Sequence, residues 1–239
     1  MAVFATTHWS VVLCAGRSDT TRARDALASL CQTYWHALYA YVRRRGHAPA
    51  DAEDLTQEFF ARLLEQNWIA RADQQKGRFR SFLLTALNRF LADEWDKTRA
   101  QKRGGGRSAV SLDTEEAERR YCEDSENGIT ADRIYDRQWA LILLANTLKK
   151  LEAEFVAADK GSDFETLKPC LLAEHATTDY GSLAQKLGVN AGAARVAVHR
   201  LRKRFRQLYR EEISQTLSDS SELEAELRHL AAALACQRV

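Results

Sequence analysis

The sequence predicts an all-α protein of two small helical domains joined by an acidic linker, with a helix-turn-helix in the second domain. Apolar residues recur at spacings of three and four along most of the 239 residues, while strand-like alternation is scarce. There are only two prolines, Pro49 and Pro169. The periodicity stops once, over a long polar stretch, and then resumes, which predicts two helical halves and a tether.

Three helices are predicted in the first domain, residues 22–107. The first covers about 22–45 and ends at Gly46, the second opens at Pro49, and the third covers about 77–100. Their apolar faces comprise Ala26, Leu27, Leu30, Tyr34, Leu38, Tyr41 and Val42, then Ala52, Leu55, Phe59, Phe60, Leu63 and Leu64, then Phe79, Phe82, Leu83, Ala86, Leu87, Phe90 and Leu91. These stripes have the 3.6-residue period of helices that cover a shared core.

The remaining chain divides by composition. Residues 101–107 read QKRGGGR, and three glycines make a helix costly there. Residues 108–133 form the acidic linker, and 134–212 form the second domain, with two short helices and a long basic one over about 180–212. The N-terminal extension is 1–21. The C-terminal extension, 213–239, carries a helix starting near Ser220 or Ser221, which we expect either to cover the second domain or to bind a regulator.

The net charge of +2 hides separated blocks of charge. Residues 76–107 carry nine Lys/Arg against three Asp/Glu, and residues 181–210 carry eight against none. Residues 111–136 carry three against nine, and 211–239 carry two against six. Each basic block is either a solvated helix face or a surface for phosphates. Two such blocks, one in each predicted domain, favour a nucleic-acid partner.

The segment Tyr180–Arg206 has the spacing of a helix-turn-helix. Leu183, Ala184 and Leu187 form the inner face of a short helix, Gly188 supplies a left-handed turn residue, Val189 fills the space under the turn, and Asn190 caps the next helix. The buried stripe of that next helix is Ala194, Val198, Leu201, Phe205 and Leu208. Its other face carries Arg195, His199, Arg200, Arg202, Lys203, Arg204 and Arg206, which suits a major groove better than an ordinary helical hairpin.

Two further segments of the first domain carry candidate contacts. Residues 78–103 mix aromatic rings with cations, as proteins that hold single-stranded nucleic acid do. The spacing of Phe79, Phe82 and Phe90 favours a core position for them, whereas Trp95 lies off that stripe and suits stacking. The helix after Pro49 places Asp54, Gln57 and Glu58 on one surface, either solvated or docked on a basic partner.

Several classes of function are not expected. No window approaches a membrane span, and the five scattered cysteines fit neither a disulfide framework nor a zinc site, so we expect reduced thiols and a cytoplasmic location. No His or Cys completes a ligand cluster with the acidic helix. No catalytic set is evident. The sequence therefore predicts a protein that is not an enzyme and has no metal or other cofactor.

In this order, the motifs resemble those of bacterial RNA polymerase sigma factors of the extracytoplasmic-function type. Asp51–Phe60, DAEDLTQEFF, is similar to the core-polymerase-binding helix of that family, and Phe79–Asp93 is similar to its promoter-melting and −10-reading segment. Tyr180–Arg206 is similar to its −35-reading helix-turn-helix. The resemblance covers roughly residues 22–103 and 135–212. It implies a non-enzymatic initiation factor whose partners are core RNA polymerase and promoter DNA, with an anti-sigma factor as a possible regulator.

The resemblance also implies site residues. It implies that polymerase is contacted by Asp54, Gln57 and Glu58, and that the −10 strand is contacted by Arg78, Arg80, Asn88, Arg89 and Trp95. At the −35 duplex it implies groove contacts from Arg195, His199 and Arg200, and phosphate contacts from Lys203 and Arg204. The loop of about 70–78, with Asn88 and Arg89, would capture a flipped base of the −10 strand. The alternative function is a stand-alone helix-turn-helix regulator, with the first domain as sensor or dimeriser.

Overall fold

The computed structural model describes residues 12, 21–66, 68–73, 77–100, 118–119, 121–122, 130–171 and 178–235. Within them lie eight α-helices and no strand, which confirms the all-α prediction. The helices are α1 (Thr21–Arg44), α2 (Pro49–Glu65), α3 (Phe79–Ala100), α4 (Ala131–Ala157), α5 (Gly161–Leu167), α6 (Tyr180–Leu187), α7 (Ala191–Ser214) and α8 (Leu223–Ala235). Short 3₁₀ turns cover Trp68–Arg71, Lys168–Leu171 and Ser220–Glu222. Most of the predicted linker and N-terminal extension lies outside the described residues.

The chain forms two compact units, one of residues 1–142 with 213–239 and one of residues 143–212. This division differs from the predicted one at two places. The start of α4, predicted to open the second domain at residue 134, belongs to the first unit. The C-terminal extension, which we expected to cover the second domain, also belongs to the first unit.

Helix α1 forms the centre of the first unit. The sequence predicted one apolar face, yet Trp35 and Tyr39 are buried as fully as Tyr34 and Leu38, on faces that the stripe left out. The reason is a partner that local periodicity does not reveal. Trp139 of α4 stacks on Tyr34 with ring centroids 4.9 Å apart, and a helix that is apolar nearly all round must be covered on several sides.

The second unit has its own core. Leu151 of α4, Phe164 and Leu167 of α5, and Cys170 pack with the inner faces of α6 and α7. From α6 and α7 come Leu183, Ala184, Ala194, Val198, Leu201 and Leu208, with Leu187 and Phe205 partly buried against them. The predicted inner stripes of both helices are therefore correct. Only one short helix precedes α7 after residue 178, where two short helices were predicted.

The start of the C-terminal helix also differs from the prediction. Ser220 and Ser221, expected as N-caps, lie inside a 3₁₀ turn. Asp219 provides the cap, because its Oδ1 accepts a hydrogen bond of 2.8 Å from the Ser221 amide. Hydrogen bonds from the Ser221 hydroxyl and from the Ser221 amide lower the pKa of Asp219 below its ordinary value. Aspartate is among the strongest N-cap residues, so the cap moves one residue upstream.

Candidate nucleic-acid interface

Helices α6 and α7 and the turn between them have helix-turn-helix geometry. Asp179 caps α6 by accepting hydrogen bonds from the amides of Gly181 (2.9 Å) and Ser182 (3.2 Å). Gly188 ends α6 with a φ of 65°, a left-handed conformation that favours glycine. Asn190 caps α7 through a 2.8 Å bond from the amide of Ala193 to Oδ1. The predicted turn glycine and asparagine cap are confirmed.

One face of α7 presents cations to solvent. Arg195, His199, Arg200 and Lys203 are all exposed, as the sequence predicted. The Arg195 guanidinium lies 5.1 Å from the centre of the Tyr180 ring, a cation–π contact that ties α7 to the start of α6.

Two other cations of α7 are engaged within the second unit. Arg202 donates from Nε and Nη2 to the carbonyl oxygen of Cys170, at 2.9 and 2.7 Å. Arg204, predicted as a phosphate contact, forms a bidentate pair with Glu154 at 2.9 and 2.5 Å. That pair lowers the pKa of the Glu154 carboxyl and raises the pKa of Arg204. The structure thus separates an open set of α7 cations from a set that braces the helix.

Two valines near the turn differ from what the sequence suggested. Val189 was predicted to fill the space under the turn, but it is exposed. Val196 was overlooked, and its side chain is 49 % exposed on the open face between Arg195 and Arg200. Its signal was in the spacing, because residue 196 lies two positions from each of the buried residues Ala194 and Val198. An exposed apolar group among cations suits a thymine methyl group in a major groove.

Helix α2 carries the acidic side chains that the sequence predicted to dock on a basic partner. Asp54 and Glu58 are exposed and Gln57 is half-buried. Glu58 accepts a bond of 2.9 Å from Arg62, which also pairs with Glu94 of α3 at 2.8 Å. The acidic surface is therefore open to a partner while Arg62 fixes α2 against α3.

Helix α3 divides its predicted contacts between solvent and core. Trp95 is 64 % exposed and Arg89 is exposed. Asn88, in contrast, points at α1, and its Oδ1 accepts a 2.8 Å hydrogen bond from the hydroxyl of Tyr41. Phe79 and Phe90 are buried, as their spacing predicted. Of the Asn88–Arg89 pair, the arginine is the side chain that faces solvent.

Arg78 and Arg80 do not lie on an open surface. Arg80 is 6 % exposed and forms ion pairs with Asp136 of α4 and with Glu226 of α8. Arg78 pairs with Glu226 at 2.6 Å and, more loosely, with Glu222 at 3.5 Å. In this arrangement acids far along the chain occupy both arginines, so the predicted contact with a DNA strand requires these acids to move and stays a prediction.

Sequence reasoning missed Glu226. Leu223, Leu227, Leu230 and Leu234 repeat at helical spacing in the last helix, whereas the buried residues of α8 are Glu226, Leu230 and Ala233. Glu226 lies four residues before Leu230, so an acid at the centre of an apolar stripe was visible. Its partners, about 146 residues away, were not.

The described part of the linker contacts α1 within the first unit. Glu118 accepts hydrogen bonds from the Tyr39 hydroxyl (2.5 Å) and from Arg43 Nε and Nη2 (2.8 and 2.7 Å). The Arg43 side chain additionally lies over the Tyr121 ring at 4.8 Å. Arg43 holds the pKa of the Glu118 carboxyl below its ordinary value, while burial and Glu118 raise the pKa of Tyr39. One acidic residue of the linker is thus anchored on α1.

Comparison with known families finds a match within the first unit. Residues 30–101 match the family model for sigma-70 region 2. This segment is similar to sigma-70 region 2. The match spans α1 from Leu30, α2 and α3, and no curated protein or solved structure matches the chain significantly. It supports assignment to the sigma-70 family.

The region 2 domain carries consequences for function. Members of the sigma-70 family are non-enzymatic transcription initiation factors, which agrees with the prediction that the protein is not an enzyme. Sigma-70 region 2 binds core RNA polymerase and promoter DNA, and the similarity of residues 30–101 to it supports a role in promoter recognition with polymerase. Of the helices that the structure describes, none combines the length and hydropathy needed to cross a membrane. The described residues also bring no three His, Cys, Asp or Glu side chains together as a metal site.

Proposed function

We propose that this protein is a two-domain sigma factor of the extracytoplasmic-function type, which reads the −35 duplex with its second unit and the melted −10 strand with its region 2 domain. The observation that carries the proposal is the combination of a sigma-70 region 2 match with a helix-turn-helix whose outer face is basic and exposed. Acting with polymerase on the chromosome, it would work in the cytoplasm.

The −35 contacts are assigned to the open face of α7. Arg195, His199 and Arg200 enter the major groove, where arginine forms bidentate hydrogen bonds with guanine. Val196 lies among them and provides an apolar contact for a thymine methyl group. Lys203, one turn after His199, binds a phosphate. Arg204 contributes through its pair with Glu154, which steadies α7, rather than through a free guanidinium.

The −10 contacts are assigned to α3 and the chain before it. Trp95 stacks on an unpaired base and Arg89 binds the strand, since both side chains are exposed. Asn88 supports this surface from the inside through its bond with Tyr41. Arg78 and Arg80 hold backbone phosphates once their carboxylate partners have moved.

The polymerase contact is assigned to α2. On one side of the helix, Asp54 and Glu58 are exposed and Gln57 is half-buried. Arg62 is the one basic residue of α2 that offsets their negative charge. Two exposed carboxylates attract a basic surface such as that of a large nucleic-acid enzyme.

Capture of purified core polymerase by the immobilised full chain tests the proposed function. Wild type binds core enzyme, and the double variant Asp54→Arg/Glu58→Arg binds at least about tenfold more weakly, because like charges replace complementary ones at the contact. The control is Glu165→Arg, which reverses an exposed acid in the second unit. Equal binding by the wild type and the double variant would show that α2 is not the polymerase contact.

A stand-alone helix-turn-helix regulator makes a different prediction. Such a protein binds duplex DNA tightly without polymerase, and a dimer prefers two half-sites about 34 Å apart. The proposed sigma factor instead gains promoter selectivity only with core enzyme. Gel-shift titration with and without core polymerase separates the two functions.

A further inference from the structure

We propose that α8 is a built-in competitor of the promoter strand: Glu226 occupies the guanidinium groups of Arg78 and Arg80 that a DNA phosphate takes when α8 leaves. This inference rests on the proposed function of the −10 segment. The proposal adds a closed state in which α8 covers the −10 segment. The family match covers residues 30–101, and α8 lies outside that range.

The carboxylate of Glu226 bridges both arginines. Oε2 lies 2.6 Å from Nη1 of Arg78, and Oε1 lies 2.8 Å from Nη2 of Arg80. Glu226 is 1 % exposed, so this charged side chain is buried against the two arginines although most of α8 faces solvent. Asp136 pairs with the second Nη of Arg80 and is itself bonded to His229 of α8 at 2.7 Å. Acids and bases from three segments thus converge on the two arginines.

A phosphate would meet the same donors. Arginine binds carboxylate and phosphate through the same pair of parallel N–H groups, so an acid in this position takes the place of a nucleic-acid oxygen. Three carboxylates, those of Glu222, Glu226 and Asp136, surround two guanidinium groups. The local charge is therefore negative while α8 is in place, and it repels a DNA strand. When α8 leaves, two of the three acids leave with it and the sign reverses.

The attachment of α8 is shallow enough to be reversible. Only Glu226, Leu230 and Ala233 of its 13 residues are buried, and the helix is joined to the rest through the exposed pair Ser218–Asp219. An isolated helix of this length is marginal in water, so α8 unfolds when it detaches. Nε of Arg80 is buried and meets no acceptor among the described residues, a donor that the closed state leaves unpaired.

A purely structural role for the Glu226 pairs predicts something different. If the pairs only hold the fold together, neutralising Glu226 loosens the first unit without helping DNA to bind. If Glu226 competes with DNA, the same change raises affinity for a single strand, because the apparent Kd falls as the open fraction grows.

Fluorescence anisotropy of a labelled mixed-sequence single-stranded oligodeoxynucleotide with the full chain measures this competition. Glu226→Gln, nearly isosteric, lowers the Kd by about fivefold to tenfold relative to wild type. Glu224→Gln removes the same charge from an exposed position of α8 and leaves the Kd within about twofold. Circular dichroism verifies that both variants fold. An unchanged or raised Kd for folded Glu226→Gln overturns the proposal.

Hydrogen exchange of the wild-type chain gives a second readout that needs no variant. Adding the oligonucleotide speeds exchange of the α8 amides if DNA displaces the helix. The proposal is overturned if the exchange rate of the α8 amides is the same with and without bound DNA. It is also overturned if core polymerase alone releases α8 and adding DNA does not change the exchange rate further. Failure of this proposal can be told apart from failure of the proposed function. If Arg89→Ala weakens single-strand binding while Glu226→Gln leaves the Kd unchanged, the −10 surface is supported and competition by α8 is excluded.

Discussion

The two basic surfaces of this protein differ in what covers them. On α7, Arg195, His199 and Arg200 are exposed, and no acid of residues 181–210 neutralises them. At the start of α3, Arg78 and Arg80 are paired with Glu226 and other acids from distant segments. Both stretches are basic in the sequence. The contrast teaches that a local count of charge predicts a surface only where compensating acids do not return to it through the fold.

The comparison also separates the energetics of the two surfaces. Exposed cations on α7 contribute little to stability and are available to a ligand. The buried arginine of α3 contributes strongly to the closed state, because removing one partner of a buried pair leaves an uncompensated charge. Substitutions on the two surfaces therefore affect different measurements.

Replacement of Arg80 has the largest expected effect. Arg80→Ala leaves Glu226 and Asp136 without their shared partner and lowers the free energy of unfolding by about 3 kcal/mol. Urea denaturation followed by circular dichroism measures the change. The exposed neighbour Arg89→Ala changes it by less than about 0.5 kcal/mol. Similar small losses for both variants would erase the difference between the two surfaces.

Replacement of Arg200 comes next and affects DNA binding instead of stability. Arg200→Ala weakens binding of the holoenzyme to a −35 duplex by about 1–3 kcal/mol, since one groove contact is lost. Lys160→Ala removes an exposed charge elsewhere in the second unit and changes binding much less. Filter binding over a salt series measures both. An equal loss for the two variants would mean that α7 contributes only general charge.

Neutralising Glu118 tests the linker anchor. Glu118→Gln loses a partly buried pair with Arg43 and destabilises the first unit by about 1 kcal/mol at neutral pH. Because the pKa of Glu118 is lower in the folded chain, its contribution is complete above the ordinary glutamate pKa of about 4.3 and declines as the pH falls through the folded pKa. Urea midpoints of the wild type and variant should converge on acidification. A gap that stays constant with pH would contradict the ionic account of this anchor.

The smallest effect is expected at Arg204, the α7 cation that is already paired. Arg204→Ala breaks a half-exposed pair with Glu154, lowers stability by about 0.5 kcal/mol and leaves −35 affinity nearly unchanged. Lys203→Ala, one residue earlier and exposed, weakens affinity and reduces the salt slope by about one. If Arg204→Ala weakens −35 affinity as much as Lys203→Ala does, the ion pair between Arg204 and Glu154 breaks when the protein binds DNA.

Local patterns of the sequence predicted the helices and the turn well. The bounds of α1, α2 and α3 follow periodicity, Pro49 and Gly46, and Gly188 and Asn190 take the predicted roles in the turn. Each of these signals acts within a few residues, which is why one sequence suffices to read it.

Contacts between distant segments escaped prediction. Nothing near Arg80 indicates Glu226, and nothing near Tyr34 indicates that Trp139 stacks on it. Periodicity assigns a residue to a face but does not name the element that covers this face. The unit boundary inside α4 and the return of α8 to the first unit follow from such long-range packing. The exposure of the proposed DNA contacts on α7 was easier to predict because solvent, and not a distant segment, covers them.

Run-off transcription with purified core polymerase on fragments of the source genome tests whether this protein acts as a sigma factor. We expect transcripts from discrete start sites that require the full chain and are lost with Asp54→Arg/Glu58→Arg, while Glu165→Arg retains them. We further expect Glu226→Gln to raise the yield from those same start sites. Tight, site-specific binding of the chain to duplex DNA without polymerase, with no transcript under any of these conditions, would overturn the proposed function.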